Sequence, residues 1–258
     1  MSTNKPTLVI IHGAFSTPES YNKLTTALES AGYEVHVPRL PTVNEARPAN
    51  SSLKDDSTFI RRYVESLIRA GRTVVAIGHS YGGQVMSGAL YGLGLEARSS
   101  QGLKGGVSDL IYLAGYALQE GESTFGKFSE FGNLEVLPLL MDTAEDHTSV
   151  LLKPTLFLGL EGSGLEETEI EAFLKTLARW NGAASVEPLE KAAWREIPVT
   201  YVHTLNDGSI LFPEQQSMTA AIEKAGRNVQ TFTLESGHSP NLTATQGVVD
   251  IVNKVISG

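Results

Sequence analysis

The chain contains no cysteine. That absence removes structural disulfides, thiolate-bound metal and a thiol nucleophile together. It also fits a reducing compartment, so a cytoplasmic location is expected. Long apolar runs are missing as well, with nothing approaching the ~18 consecutive residues of a membrane span. The start, MSTNKP, is short and polar and runs directly into an apolar stretch, so no signal peptide is expected. Basic residues are sparse and unclustered: 20 Lys and Arg face 29 Asp and Glu, for a net charge of −9. Nucleic acid and an anionic membrane both need a basic patch, so neither is expected as a partner. A small-molecule substrate is, and a homodimer is the one assembly left open. No H-E-x-x-H occurs and no two histidines stand at ligand spacing on one face, so neither metal nor cofactor is expected. The glycine-rich Gly159–Gly164 lacks the spacing and lysine of a phosphate loop and reads as a turn.

What is present centres on Thr73–Gly83, TVVAIGHSYGG. Thr73–Ile77 is a short β-branched and small apolar run suited to a buried strand. Gly78-His79-Ser80-Tyr81-Gly82 follows at once, and Gln84–Leu90 reads as a helix. In a chain with 25 glycines a G-x-S-x-G can be an accidental flexible turn. The strand before it, the helix behind it and the second glycine at 83 favour a nucleophile elbow instead. Such a turn needs glycine on both sides of a strained serine, and it aims the free N–H groups of the helix at charge forming beside that serine.

Around this point the chain alternates. Leu8–Ile11 is a first strand ending in His12-Gly13-Ala14-Phe15; a helix runs from Tyr21 to Gly32; Tyr33–Val37 is a second strand. Pro41–Ser52 is a loop, and Asp55, Asp56 and Ser57 offer N-cap oxygens to an amphipathic helix stopped by Gly71. Ser99–Gly106 reads as a polar connection and Asp109–Gly115 as a fourth strand. Near-continuously apolar strands alternating with helices predict a mainly parallel six-stranded sheet covered on both faces, an α/β fold. Past Tyr116 the alternation breaks. Residues 119–196 read as an inserted, mostly helical cap with one helix over Glu166–Trp180, and 1–118 with 197–258 as the core. Phe125, Phe128, Phe131, Phe157, Phe173, Trp180 and Trp194 lie in that cap, where any single aromatic is more often packing than substrate contact. Strands at Ile197–Leu205 and Val229–Leu234, with helices at Pro213–Ala225 and Thr243–Ile256, close the chain.

A serine hydroxyl needs a base, and the base needs an acid to fix its tautomer. Both should lie on loops at the carboxyl ends of strands, the edge where open α/β sheets place ligands. His238, in Ser236-Gly237-His238-Ser239-Pro240, follows the last strand and is the candidate base. His12 reads as loop-shaping, His79 as turned away from the serine, and His36, His147 and His203 as structural. Asp207 in Leu205-Asn206-Asp207-Gly208 is the candidate acid, against an ordinary Asp-Gly turn and the rivals Glu120 and Glu122. The oxyanion donors expected are the backbone N–H of Tyr81 and that of Ala14, with Phe15 the second choice. Tyr116 and Phe15 are the expected substrate contacts.

With these residues placed, the chain resembles the α/β-hydrolase fold superfamily. Within it the chain is similar to the six-stranded branch of plant methylesterases and hydroxynitrile lyases. The direct entry at Leu8, the Pro213-Glu214-Gln215-Gln216 run and His238-Ser239-Pro240-Asn241-Leu242 carry that similarity. The plant esterases have a glycine–tryptophan pair where this chain reads Ser16–Tyr21, so their substrates do not transfer. The lyases keep a lysine where Ser239 stands. The resemblance implies a serine hydrolase acting on a small to medium apolar ester, lactone or thioester through an acyl-enzyme on Ser80. The alternatives are lyase or C–C bond chemistry on the same triad, and a non-catalytic small-molecule receptor.

Overall fold

The computed structural model describes residues 5–258; the leader expectation rests partly on Met1–Asn4, which lie outside them. Six strands form one sheet: β1 (Thr7–Ile11), β2 (Glu34–His36), β3 (Thr73–His79), β4 (Gly106–Leu113), β8 (Val199–Thr204) and β9 (Val229–Leu234). Their order is β2-β1-β3-β4-β8-β9, with every pairing parallel. The inner strands β1, β3 and β4 are largely apolar because both faces are covered, whereas the edge strands β2 and β9 carry exposed polar residues. Val9, Ile11, Val74, Ala76, Leu110 and Tyr112 enter one core, while Leu8, Ile10, Val75, Ile77, Ile111 and Leu113 enter the other. Helices α1 (Asn22–Ser30) and α11 (Thr245–Ser257) cover the second face; α2 (Leu53–Arg69) and α3 (Tyr81–Leu90) cover the first. The chain leaves β1 toward β2 and returns to β3 on the other side. β1 and β3 thus flank the point where strand order reverses, which is where such sheets open a crevice.

Four departures from expectation have physical causes. Helix α2 starts at Leu53 because Ser52 caps it: Asp55 N–H donates to Ser52 Oγ (3.2 Å) and Ser52 N–H donates back to Asp55 Oδ2 (2.9 Å). Asp56 is thereby not a cap but a buried carboxyl. Helix α3 begins at Tyr81, directly behind the serine, three residues before the expected start. A short helix α4 (Leu95–Ser100) precedes the polar connection; it buries no side chain and so leaves no apolar periodicity to read.

The largest departure lies between β4 and β8. Helices α5 (Thr124–Glu130), α6 (Leu137–Leu140), α7 (Pro154–Phe157) and α8 (Glu167–Leu174) are there, but so is an antiparallel sheet of β5 (Met141–Thr143), β6 (Thr148–Leu151) and β7 (Trp180–Asn181). The segment therefore adds a small sheet to its helices, and the expected Glu166–Trp180 helix stops at Leu174. Beyond it the chain is extended because its backbone is bound elsewhere, Ala178 N–H donating to Phe15 O (2.7 Å) and Asn181 N–H to Thr42 O (2.9 Å). Strands of two to four residues are too short to show alternation. Farther on, Leu189, Ala192, Ala193 and Trp194 pack into the first core. Helices α9 (Phe212–Lys224) and α10 (Pro240–Thr243) complete the fold.

Candidate active site

The loops after β1, β3, β8 and β9 emerge at one edge of the sheet, since all six strands run the same way. Ser80 sits between β3 and α3 with φ 54° and ψ −128°, a conformation disfavoured for a residue with a Cβ. Glycine is needed beside it. A Cβ on Gly82 would fall on the Ile11 and His12 carbonyls, and one on Gly78 would lie 2.9 Å from Gly83 Cα and Met86 Cε.

His238 Nε2 is 2.8 Å from Ser80 Oγ, and His238 Nδ1 is 2.8 Å from Asp207 Oδ2. The imidazole is 2% exposed. Asp207 is fixed on every side: Oδ1 accepts from the N–H groups of Ser209 (2.8 Å) and Ile210 (2.9 Å), and Oδ2 also accepts from Thr204 Oγ1 (2.8 Å). Burial acts to raise its pKa, but the facing imidazole and these hydrogen bonds outweigh it and hold the carboxyl below the usual range. The rival carboxylates point elsewhere. Glu120 pairs with Arg195 (3.0 Å) and Glu122 accepts from Gln119 N–H (2.8 Å).

Tyr81 is the first residue of α3, so its N–H precedes the first intrahelical bond and is free to face the crevice. In the β1 loop Gly13 N–H is already committed to the Tyr21 hydroxyl (3.1 Å), so the N–H groups of Ala14 and Phe15 remain the candidates on that side. His12 shapes this loop, as expected: its ring bonds Gly13 O (2.9 Å) and accepts from Leu40 N–H (3.0 Å). Burial lowers its pKa to about 4 and keeps it neutral.

His79 turns away from Ser80 yet is not idle. Its Nδ1 accepts from the Tyr21 hydroxyl (2.5 Å) and its Nε2–H donates to the His238 carbonyl (2.7 Å). Gly13, Tyr21, His79 and His238 thus form one hydrogen-bonded chain joining the β1, β3 and β9 loops. Sequence reading missed Tyr21, whose only signal is a buried aromatic hydroxyl. It also missed Gly159, where a Cβ would meet Gly237 Cα at 2.6 Å, so that glycine lets the segment close on the His238 loop.

Burial, reinforced by the neighbouring His238, lowers the His79 pKa from its ordinary 6.5 to about 3. Below pH 6.5 the unfolded chain takes up a proton that the fold refuses until near 3, so this contribution is present above 6.5 and lost as pH falls. His79→Gln removes the titrating ring while keeping a donor for the His238 carbonyl. Between pH 7 and 4.5 the wild type is expected to lose on the order of 2 kcal/mol more stability than the variant. Denaturant melts of both across that range check this; parallel pH dependence would contradict it.

A cavity of about 430 Å³ opens at the serine. Phe15, Tyr116, Phe125, Phe128, Phe157 and Trp180 line it, together with Ser80 and His238. Tyr116 and Phe15 are therefore wall residues, and four of the seven aromatics past Tyr116 face the cavity. Phe173 and Trp194 are packing. His147, read as structural, borders the cavity too, but among the described residues no Asp, Glu, Lys or Arg does. Among the described residues no group of three His, Asp or Glu side chains gathers as a metal site, and no helix is long and apolar enough to cross a membrane.

Residues 8–251 match the model of the alpha/beta hydrolase family. A probable hydrolase from a Phoma species is 28% identical over 251 residues, covering 96% of this chain and 97% of its own. Among solved structures, a pyrethroid hydrolase from Sphingobium faniae superposes with a TM-score of 0.72 at 19% identity, covering 98% of both chains. A methylesterase from Arabidopsis superposes with a TM-score of 0.68 at 19% identity, covering 98% of this chain and 99% of that one.

Proposed function

The chain belongs to the alpha/beta hydrolase family, and from that premise we propose that it cleaves neutral carboxylic esters with bulky apolar substituents through an acyl-enzyme on Ser80. The observation that carries this reading is the unbroken hydrogen-bonded line from Asp207 through His238 to Ser80, opening into a cavity with no charged wall. His238 takes the Ser80 proton as Oγ attacks the carbonyl carbon. The backbone N–H groups of Tyr81 and Ala14 receive the oxyanion. His238 then gives its proton to the departing alkoxide, and afterwards activates the water that releases the acid. Asp207 holds the tautomer with Nδ1 protonated and balances the imidazolium charge. The β4–β8 segment acts as a cap whose aromatics contribute apolar area worth roughly 25 cal/mol per Å² covered.

A charged substrate would lose its hydration in this cavity without a counterion. Lyase chemistry that expels an anion is disfavoured on the same ground, since no cation borders the cavity and Ser239 follows His238. A receptor role has no need of three groups aligned at hydrogen-bond distance.

A matched panel of aryl esters tests the reading. Neutral bulky acyl groups should be turned over with kcat/KM at least about tenfold above the same esters carrying a carboxylate on the acyl part, corresponding to about 1.4 kcal/mol. Equal rates across the panel, or labelling of a residue other than Ser80 by a fluorophosphonate, would overturn it.

A further inference from the structure

Asp56 is a fully buried carboxyl outside the triad, and its contacts lead in two directions. Oδ2 accepts from the Tyr81 hydroxyl (2.8 Å). On the other side Thr42 N–H donates to Oδ1 (2.9 Å) and Thr42 Oγ1 to Oδ2 (2.6 Å). Thr42 is in turn held by β7: its carbonyl accepts from Asn181 N–H (2.9 Å) and Nδ2 (2.7 Å), and its hydroxyl oxygen from Trp180 Nε1–H (3.2 Å). The Trp180 ring then stands edge-on to Tyr81 (5.1 Å) and to Phe15 (5.4 Å), and Ala178 N–H donates to the Phe15 carbonyl (2.7 Å). Four consecutive residues, Ala178–Asn181, are therefore tied both to the loop carrying Ala14 and to the residue whose N–H faces the crevice beside Ser80.

We propose that Asp56 is a positioning residue for the oxyanion hole, clamping the Tyr81 side chain and, through Thr42, the Ala178–Asn181 segment into one register so that the two main-chain donors keep their spacing. The inference rests on the reading of Tyr81 and Ala14 as oxyanion donors. The Tyr81 ring completes the hold on that N–H: the Ser80 carbonyl in the same peptide plane accepts from Gly83 N–H (2.9 Å) and Tyr116 N–H (3.0 Å), and the ring anchors the residue from its other side. The arrangement also makes the hole dependent on the β4–β8 segment being seated. A carboxylate suits the role because one group accepts from three donors, Thr42 N–H, Thr42 O–H and Tyr81 O–H, and no single-acceptor side chain does.

The test uses Tyr81→Phe, which keeps the ring and removes only the bond to Asp56, alongside Asp56→Ala and Asp56→Asn. Steady-state kinetics on a neutral aryl ester are read together with inhibition by phenylboronic acid, whose serine adduct places an oxygen in the oxyanion hole. Tyr81→Phe is expected to lower kcat about tenfold, below the ~10²–10³ seen when a donor is removed outright, with KM within about twofold. Boronate affinity should fall by the same factor. Asp56→Asn retains an acceptor for Thr42 N–H and should recover part of what Asp56→Ala loses. Adding Thr42→Val to Tyr81→Phe should cost less than the product of the two single effects, because both cut one line of contacts. A Tyr81→Phe enzyme with wild-type kcat and boronate affinity overturns the proposal, whatever its melting temperature. A wild type that neither hydrolyses esters nor labels at Ser80 overturns the underlying reading of the site instead.

Discussion

Ser80→Ala is expected to lower kcat/KM on an activated aryl ester by at least about 10⁴-fold, and to abolish labelling by a fluorophosphonate. Removing the nucleophile of such a triad alone can cost as much as removing all three members, up to ~10⁶, with the remaining acceleration supplied by oxyanion donors and binding. The backbone geometry makes this a clean experiment. Residue 80 sits at φ 54°, where any side chain with a Cβ is strained. Serine and alanine share that strain, so the substitution removes Oγ without changing the conformational cost. Oγ is within 2.8 Å of His238 Nε2, and its loss leaves that nitrogen at a crevice open to water. The melting temperature should therefore stay close to the wild-type value while turnover disappears. Retained labelling, or a variant hydrolysing the ester within tenfold of wild type, would show that the nucleophile lies elsewhere.

The parts of the site legible in the sequence are those built from contiguous residues. Gly78 and Gly82 flank Ser80 because the turn has no room for a Cβ, and the strand and helix on either side are visible as local patterns. His238 and Asp207 stand out because each follows a readable strand in a loop with turn residues. The parallel sheet was legible chiefly from its inner strands, which are buried on both faces and largely apolar, while the edge strand β9 leaves Gln230, Thr231 and Thr233 exposed. What escaped is held by contacts distant along the chain. Tyr21 gains meaning only from His79, 58 residues away. Asp56 looks like an N-cap because it follows a loop and precedes a helix, and only Ser52 taking that place releases it for Thr42 and Tyr81. Trp180 scans as the end of a helix because Ile170, Phe173, Leu174 and Leu177 keep helical spacing. Its extended backbone is imposed by β6, Phe15 and Thr42, and no local pattern encodes those partners.

Asp207→Asn separates the role of the acid from its mere presence, and it should lower kcat by about 10⁴-fold while leaving the fold intact. The surroundings dictate how the amide must sit. Oδ1 of the native carboxylate accepts two main-chain N–H bonds, from Ser209 and Ile210. Only the amide oxygen can take that place, since an NH₂ there would face two donors. The amide nitrogen is then left where Oδ2 meets His238 Nδ1, and it presents a hydrogen to that nitrogen. His238 must answer with an unprotonated Nδ1, which moves its proton to Nε2, the atom facing Ser80. An Nε2 already carrying a proton cannot accept another from the serine hydroxyl, so the base is present, aligned and in the wrong tautomer. Because hydroxide can replace the missing base, the variant should recover activity as pH rises, and its rate should climb with hydroxide concentration where the wild type levels off. Glu120→Gln and Glu122→Gln, whose carboxylates are bound to Arg195 and to Gln119 N–H, should stay within about threefold of wild type. A fall of several orders of magnitude in either of those variants, with Asp207→Asn near normal, would move the acid to the β4 loop.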